Sequence, residues 1–130
     1  MTTESMLRRC DVPGTSMSVI IDDDGKVAYA YLSDCGQIAS DVWLYNVVST
    51  PDQVDWHDKT QMPFLNPKRF CKENEALERI TGQSNVLCAV QADSVEVKLN
   101  GRIIARLKAG VRPGWSILAG RKGPLAQPLI

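Results

Sequence analysis

The chain has 130 residues, and its 15 basic and 15 acidic side chains give a formal net charge of zero. This length is enough for one domain with its own hydrophobic core. No segment approaches the roughly 18 consecutive apolar residues that span a bilayer, and the N-terminus lacks the apolar core of a signal peptide, so we expect a cytoplasmic protein that does not associate with membranes.

The neutral total hides an uneven distribution of charge along the chain. Residues 1–60 carry ten acidic and four basic side chains, a net charge of −6, whereas residues 91–130 carry two acidic and seven basic ones, a net charge of +5. Such a split gives either a dipolar surface or two regions that neutralise each other in the fold, and we favour the second interpretation.

The pattern divides the chain into three parts. Residues 1–16 are polar, contain Pro13-Gly14 and show no sustained period, so we predict a flexible N-terminal arm. Residues 17–120 are predicted to form a single β-rich domain. Residues 121–130 are interrupted by glycine and proline, and we predict a C-terminal tail.

Two hairpins are predicted from alternating apolar and polar residues. In the first, a loop of Asp23-Asp24-Gly25 would pair Ile21 with Val27 and place Tyr29 and Tyr31 on the apolar face. In the second, Ser94 to Lys108, a three-residue loop of Leu99-Asn100-Gly101 would pair Val97 with Ile103 and Val95 with Ala105. This second hairpin sets the structural class, because its two strands are the clearest in the sequence.

The middle of the chain predicts a buried strand, an irregular segment and a helix. Asp41 to Val48 is a nearly unbroken apolar run, typical of a central strand. Ser49 to Pro63 has no period, and irregular segments on a rigid scaffold often carry binding residues. Asn66-Pro67 resembles a helix start and Gly82 a stop, so we predict one amphipathic helix from about Pro67 to Thr81.

With further strands at Val86–Val90 and Trp115–Ala119, the count is about seven strands and one helix. The predicted fold class is therefore α+β, mainly an antiparallel β-sheet that is curved or barrel-like, with one amphipathic helix.

Four segments resemble a small bacterial domain of unknown function: Val42-Trp43-Leu44-Tyr45-Asn46, Pro63-Phe64-Leu65-Asn66-Pro67, Arg112-Pro113-Gly114-Trp115-Ser116 and Gly123-Pro124-Leu125-Ala126. The resemblance implies a bacterial source and carries no known chemistry.

Candidate catalytic and metal-binding groups are few. A cysteine hydrolase would use Cys35 as nucleophile and His57 as base, oriented by Asp55 or Asp58. However, the acidic Asp34 is an unfavourable neighbour for a nucleophile at Cys35, and a lone histidine between acids is more often a surface ion-pair member. His57, Asp55 and Asp58 lie in one short loop without a second histidine or a paired cysteine, which is too few ligands for a zinc site. We therefore predict no metal site and no cofactor.

Binding functions fit the sequence better than catalysis does. The leading hypothesis is a non-catalytic protein-binding module, immunity-like or adaptor-like, with Trp56, Arg102 and Arg106 as contact residues, because tryptophan and arginine dominate interface hot spots. The alternative is a nucleic-acid-binding sheet that uses the basic C-terminal region, with Trp115 as a stacking ring. The neutral total charge and the lack of interleaved aromatic residues make this alternative second.

Overall fold

The computed structural model describes residues 5–129, which fold into two β-sheets. The first sheet is an antiparallel meander of four strands in the order β1-β2-β3-β4, and the second contains five strands in the order β5-β6-β7-β8-β9. The strands are β1 Met6–Asp11, β2 Met17–Asp23, β3 Val27–Asp34, β4 Gln37–Asn46, β5 Val86–Gln91, β6 Ser94–Leu99, β7 Arg102–Leu107, β8 Trp115–Ser116 and β9 Gln127–Pro128. All neighbouring strands are antiparallel except β8 and β9, which are parallel.

The antiparallel sheet is confirmed, but the α+β class is wrong because the predicted helix does not form. Two short 3₁₀ turns, Lys59–Gln61 and Lys68–Phe70, are the helical segments of the described chain. From Cys71 onward the backbone bonds to other elements, with Cys71 bridging to Ala119 and the Lys72 N–H donating to the Leu118 carbonyl. Asn74 adopts a positive φ of 60°, which interrupts any helix.

The second hairpin has a different register from the predicted one. Asn100 and Gly101 both have positive φ, so they form the tight two-residue turn that joins twisted strands well, and Leu99 pairs with Arg102. A bulge then shifts the register, because Val97 pairs with Ala105 and leaves Ile104 as the extra residue. The predicted pairs Val97–Ile103 and Val95–Ala105 are therefore wrong.

The first hairpin is shifted as well. Asp23 pairs with Ala28 and Ile21 with Ala30, while the Asp24 carboxylate accepts the N–H groups that follow it in the turn. The predicted pair of Ile21 with Val27 is wrong, and so is the placement of both tyrosines on the face of Ile21. Tyr29 and Tyr31 instead point to the opposite face of β3.

One hydrophobic core lies between the two sheets. The first sheet contributes fully buried residues such as Ile21, Ala30 and Leu32, and the second contributes Val97, Ile104 and Leu107. The sheets also meet along their margins, where β1 lies beside β5 and β4 lies beside β7 and β8. At the second margin the N–H of Gly114 donates to the Asp41 carbonyl at 2.8 Å, so backbone hydrogen bonds join the sheets.

A buried polar cluster closes one end of this core. The Asp23 carboxylate, fully buried, accepts hydrogen bonds from the Tyr45 hydroxyl at 2.9 Å, from Arg79 Nε at 2.8 Å and from the Gly25 N–H at 3.0 Å. The Tyr45 hydroxyl in turn accepts the Ile80 N–H at 2.9 Å. These bonds hold the irregular segment after residue 71 against the first sheet.

The chain ends differ in part from the expected arm and tail. Residues 6–11 lie in the segment expected to be flexible, yet they form β1, in which Met6 and Cys10 are half-buried and alternate with exposed residues. Residues 127–128 of the expected tail form β9 beside β8. Residues 1–4 of the expected arm and residue 130 of the tail lie outside the described residues. Within residues 5–129, no helix is long and apolar enough to cross a membrane.

Candidate binding surface

The outward face of the first sheet brings apolar, aromatic and acidic side chains together. The strand register places Leu7, Asp22, Tyr29 and Trp43 in one row across the sheet, and Arg9, Ile20, Tyr31 and Asp41 in the next. Because neighbouring residues of β2 such as Val19 and Ile21 are fully buried in the core, these two rows point away from it.

Part of this face is covered by the segment that follows β4. The Tyr29 hydroxyl donates to the Phe64 carbonyl at 2.6 Å, and Tyr29 is only 8% exposed. The accessible side chains of the two rows are Leu7, which is 73% exposed, Arg9, which is exposed and paired with Asp11, and the half-buried Ile20, Asp22, Tyr31 and Asp41. We call the accessible patch formed by Leu7, Ile20, Asp22 and Tyr31 the tyrosine face.

The Tyr31 ring packs against its neighbour on the same face of β3. It stacks on the Tyr29 ring with 6.1 Å between the centroids and 19° between the planes, and Tyr29 is fixed by its own hydrogen bond. A ring with few accessible rotamers loses little conformational entropy when a partner covers it. The tyrosine face therefore has a preorganised aromatic anchor.

Carboxylates surround this anchor. Burial raises the pKa of the Tyr31 hydroxyl, and the negative charges of Asp22, Asp41 and Asp24 raise it further. Burial likewise raises the pKa of the Asp22 carboxyl, and repulsion from Asp24 and Asp23 adds to that shift. Negative charges therefore act on the tyrosine face, and the nearby cations Arg9 and Arg112 are paired with Asp11 and Asp41.

The predicted contact residues Arg102 and Arg106 lie on the second sheet. Each is near a carboxylate: Arg102 Nη2 is 3.7 Å from Glu75, and Arg106 Nη2 is 3.3 Å from Glu96. Lys108, the residue after β7, is 2.8 Å from Asp93. These cations are therefore neutralised by neighbouring acids and do not form a continuous positive track.

Trp115 lies beside Arg106 on this sheet. The two residues are direct cross-strand partners, and Trp115 is half-buried. Both line a cleft together with Lys108, Gln91 and Ser94. The structure thus brings Arg106 and Trp115 together, as the nucleic-acid hypothesis requires, but with paired charges around them.

Trp56 lies in the irregular segment after β4. Its ring makes an edge-to-face contact with Phe64 at 5.2 Å between centroids, and the residue is half-buried. Trp56 therefore packs in part against its own segment, and a fraction of the ring remains accessible.

Cys35 and His57 are not brought together. Cys35 is exposed in the tight turn between β3 and β4. The segment that contains His57 lies at the other end of β3, where Lys26 Nζ donates to the Gln61 carbonyl. The eight residues of β3 span roughly 25 Å at 3.3 Å per residue, so the geometry gives no nucleophile–base pair. Within residues 5–129 there is also no group of three His, Cys, Asp or Glu side chains that could hold a metal ion.

Sequence reasoning missed the tyrosine face because it placed both tyrosines in the core. A signal was present in β3, where the small residues Ala28 and Ala30 alternate with Tyr29 and Tyr31. Small side chains suit a face pressed against a second sheet, which leaves the large rings for the other face.

Comparison of the chain with protein-family models, with curated proteins and with solved structures gives no match.

Proposed function

We propose that this chain is a non-catalytic protein-binding module, immunity-like or adaptor-like, that acts in the cytoplasm through its tyrosine face. The observation that carries the proposal is the exposure of Leu7, at 73%, on the same face of the first sheet as the half-buried Ile20 and Tyr31. Exposed apolar side chains scattered singly need no explanation, but a group that includes a fixed aromatic ring favours an interface.

The shape of the face favours a macromolecular partner. The residues belong to three neighbouring strands and lie side by side on a sheet surface, whereas small-molecule sites are concave and enclose most of the ligand. A flat patch with an apolar centre and charged margins is the usual anatomy of a protein–protein interface.

The nucleic-acid alternative has weaker support. Phosphate binding draws its affinity from cations that are free to replace counterions. Arg102, Arg106 and Lys108 each lie within 4.0 Å of a carboxylate. A contribution of Trp56 to partner binding stays a prediction, and the double arginine variant described below tests whether Arg102 and Arg106 contribute.

The test is capture of a partner from the native lysate by immobilised protein, with two exposed leucines compared. Leu7→Ser removes an anchor of the tyrosine face, whereas Leu87→Ser removes an exposed leucine of β5 that is 59% exposed. We expect Leu7→Ser and Tyr31→Ala to reduce capture of the same protein band at least fivefold, and Leu87→Ser to leave it unchanged.

Two further arms separate the alternatives. Nuclease treatment and the double substitution Arg102→Glu/Arg106→Glu should leave the band in place if the tyrosine face binds a protein. A band that is lost with nuclease and with the arginine variant, but kept by Leu7→Ser, would contradict the proposal and favour nucleic acid. Thermal unfolding of each variant confirms that the fold is intact.

A further inference from the structure

We infer that the tyrosine face binds a basic segment of the partner protein and that an arginine side chain of this segment lies over the Tyr31 ring beside Asp22. This inference rests on the proposed function and adds the chemistry of the partner to it.

Within the described part of the chain, the tyrosine face carries a carboxylate that the fold leaves without an ion-pair partner. Two cations near the face are already engaged, because Arg9 Nε is 2.9 Å from Asp11 and Arg112 Nη1 is 2.9 Å from Asp41. Among residues 5–129, no hydrogen bond or ion pair engages the Asp22 carboxylate. The face therefore retains negative charge that the fold does not neutralise, and a positively charged partner complements it.

The charged form of Asp22 is unfavourable in the folded chain. Burial and the neighbouring carboxylates of Asp24 and Asp23 raise the pKa of Asp22, so the folded structure disfavours its charged form. A neutral asparagine has nearly the same shape and would not carry this cost. A charged group that is destabilised in the folded chain is a candidate for function, because a ligand can provide the favourable interaction that the chain itself does not make.

The Tyr31 ring has one occupied side. It is half-buried and stacks on Tyr29, and among residues 5–129 it contacts no second ring and no cation. A cation over the face of a tyrosine ring is attracted by the ring's negative face. Arginine fits this site better than lysine, because its planar guanidinium can stack on the ring while its edge donates to a carboxylate.

The apolar margin selects a protein segment over a free cation. Ile20 is the cross-strand partner of Tyr31, and Leu7 is the cross-strand partner of Asp22, so apolar residues on either side of the arginine would bury surface against them. A short sequence with alternating arginine and apolar residues, as in an extended strand, would place both kinds of side chain on the face at once.

The experiment titrates the full chain with three hexapeptide probes, hexa-arginine, hexalysine and hexaglutamate, and follows the backbone amide signals by NMR. With hexa-arginine at low salt we expect chemical-shift changes concentrated on residues 7, 20, 22 and 31. Hexalysine should bind several-fold more weakly, and hexaglutamate should cause no change on this face.

A charge-matched pair of variants tests the role of Asp22. Asp22→Asn and Asp52→Asn each remove one negative charge, but Asp52 is an exposed partner of Lys68 in the segment after β4. We expect Asp22→Asn to weaken hexa-arginine binding at least fivefold and Asp52→Asn to change it less than twofold. Equal effects of the two variants, or shifts spread evenly over the surface, would overturn the inference.

The same variants distinguish the inference from the proposed function. If Asp22→Asn leaves capture of the native partner intact while Leu7→Ser abolishes it, the face binds a protein but the basic-segment inference is wrong. If Leu7→Ser and Leu87→Ser capture the partner equally well, the proposed function is wrong, whatever the peptide titrations show.

Discussion

Replacement of Asp23 by asparagine tests the buried polar cluster that closes one end of the core. The carboxylate is fully buried and accepts hydrogen bonds from Arg79, Tyr45 and the Gly25 N–H. Asparagine keeps the shape but has one acceptor oxygen, and its amino group would face donors. The substitution therefore removes charge-assisted bonds without opening a cavity.

The magnitude follows from the bonds that are lost. A hydrogen bond to a charged group contributes about 1.5–3 kcal/mol. The Arg79 side chain is 36% exposed, so solvent screens its part of the interaction. If the substitution weakens one or two of these bonds, and the bond from Arg79 counts for less because solvent screens it, we expect a loss of about 2–3 kcal/mol in the free energy of unfolding. For a domain of this size, that loss lowers the melting temperature by roughly 10 °C.

The pH dependence gives a second readout. Burial alone would raise the pKa of Asp23, but the hydrogen bonds from Arg79, from the Gly25 N–H and from Tyr45 outweigh it and hold the pKa below its ordinary value of 3.8. A lowered folded-state pKa stabilises the fold above the unfolded-state value, and this stabilisation is lost as the pH falls through the folded-state pKa. The difference between wild type and Asp23→Asn should therefore be constant near neutral pH and shrink below pH 3.8.

Urea unfolding at pH 7 and at a series of acidic pH values measures both effects. Asp52→Asn is the control, because its ion pair with Lys68 is exposed and should change stability by less than about 0.5 kcal/mol. If Asp23→Asn costs no more than this control, or if the difference from wild type does not shrink on acidification, the carboxylate does not hold the cluster and the reasoning is refuted.

Two further predictions test the fold. In Gly114→Ala the new Cβ would lie 2.5 Å from a carbonyl oxygen of β7, so we expect a loss of about 1–3 kcal/mol, whereas Gly82→Ala, with no atom within 4 Å, should be nearly neutral; chemical denaturation of both variants checks this. The bulge in β7 predicts that Ile104→Ala, at a fully buried position, costs about 2–5 kcal/mol and that Ile103→Ala, at a half-buried one, costs clearly less. Equal losses at positions 103 and 104 would contradict the bulge.

The sequence was sufficient to predict the antiparallel strands but not their register. Alternation located the hairpins, since a strand with one buried face has a period of two. The predicted second hairpin brings the apolar residues of its two strands to the same face with a three-residue loop. The chain instead has a two-residue turn and a bulge at Ile104. A bulge leaves no local sequence signal, because the residue types on either side of it are all compatible with a strand.

The prediction of a helix from Pro67 to Thr81 is wrong for a different reason. The segment after Pro67 offers only Phe70, Leu77 and Ile80 as large apolar residues on the proposed face, which is a weak basis for amphipathic packing. Long-range partners then decide its conformation, as when the Ile80 N–H donates to the Tyr45 hydroxyl. Helix propensity is a weak prior that such tertiary bonds override.

The candidate surface depended on this same register. Trp56, Arg102 and Arg106 were chosen by residue type, and two of them lie beside carboxylates that are distant or poorly predictable in sequence. Glu75 is 27 positions before Arg102, so no local pattern connects them. Exposure and pairing of charged residues are therefore properties of the fold that residue type alone does not supply.

The two faces of β3 show how the fold divides stability from binding. Toward the core, Ala28, Ala30 and Leu32 are fully buried, and the small side chains allow the second sheet to approach closely. Away from the core, Tyr29 is covered while Tyr31 is left half-buried near Asp22, whose pKa is raised by burial and by the charges of Asp24 and Asp23. A chain selected only for stability would gain by placing a neutral residue at position 22, since the charge there opposes folding. We therefore expect Asp22→Asn to raise the melting temperature and to weaken binding of an arginine-containing partner, and a variant that loses both stability and binding would contradict this division.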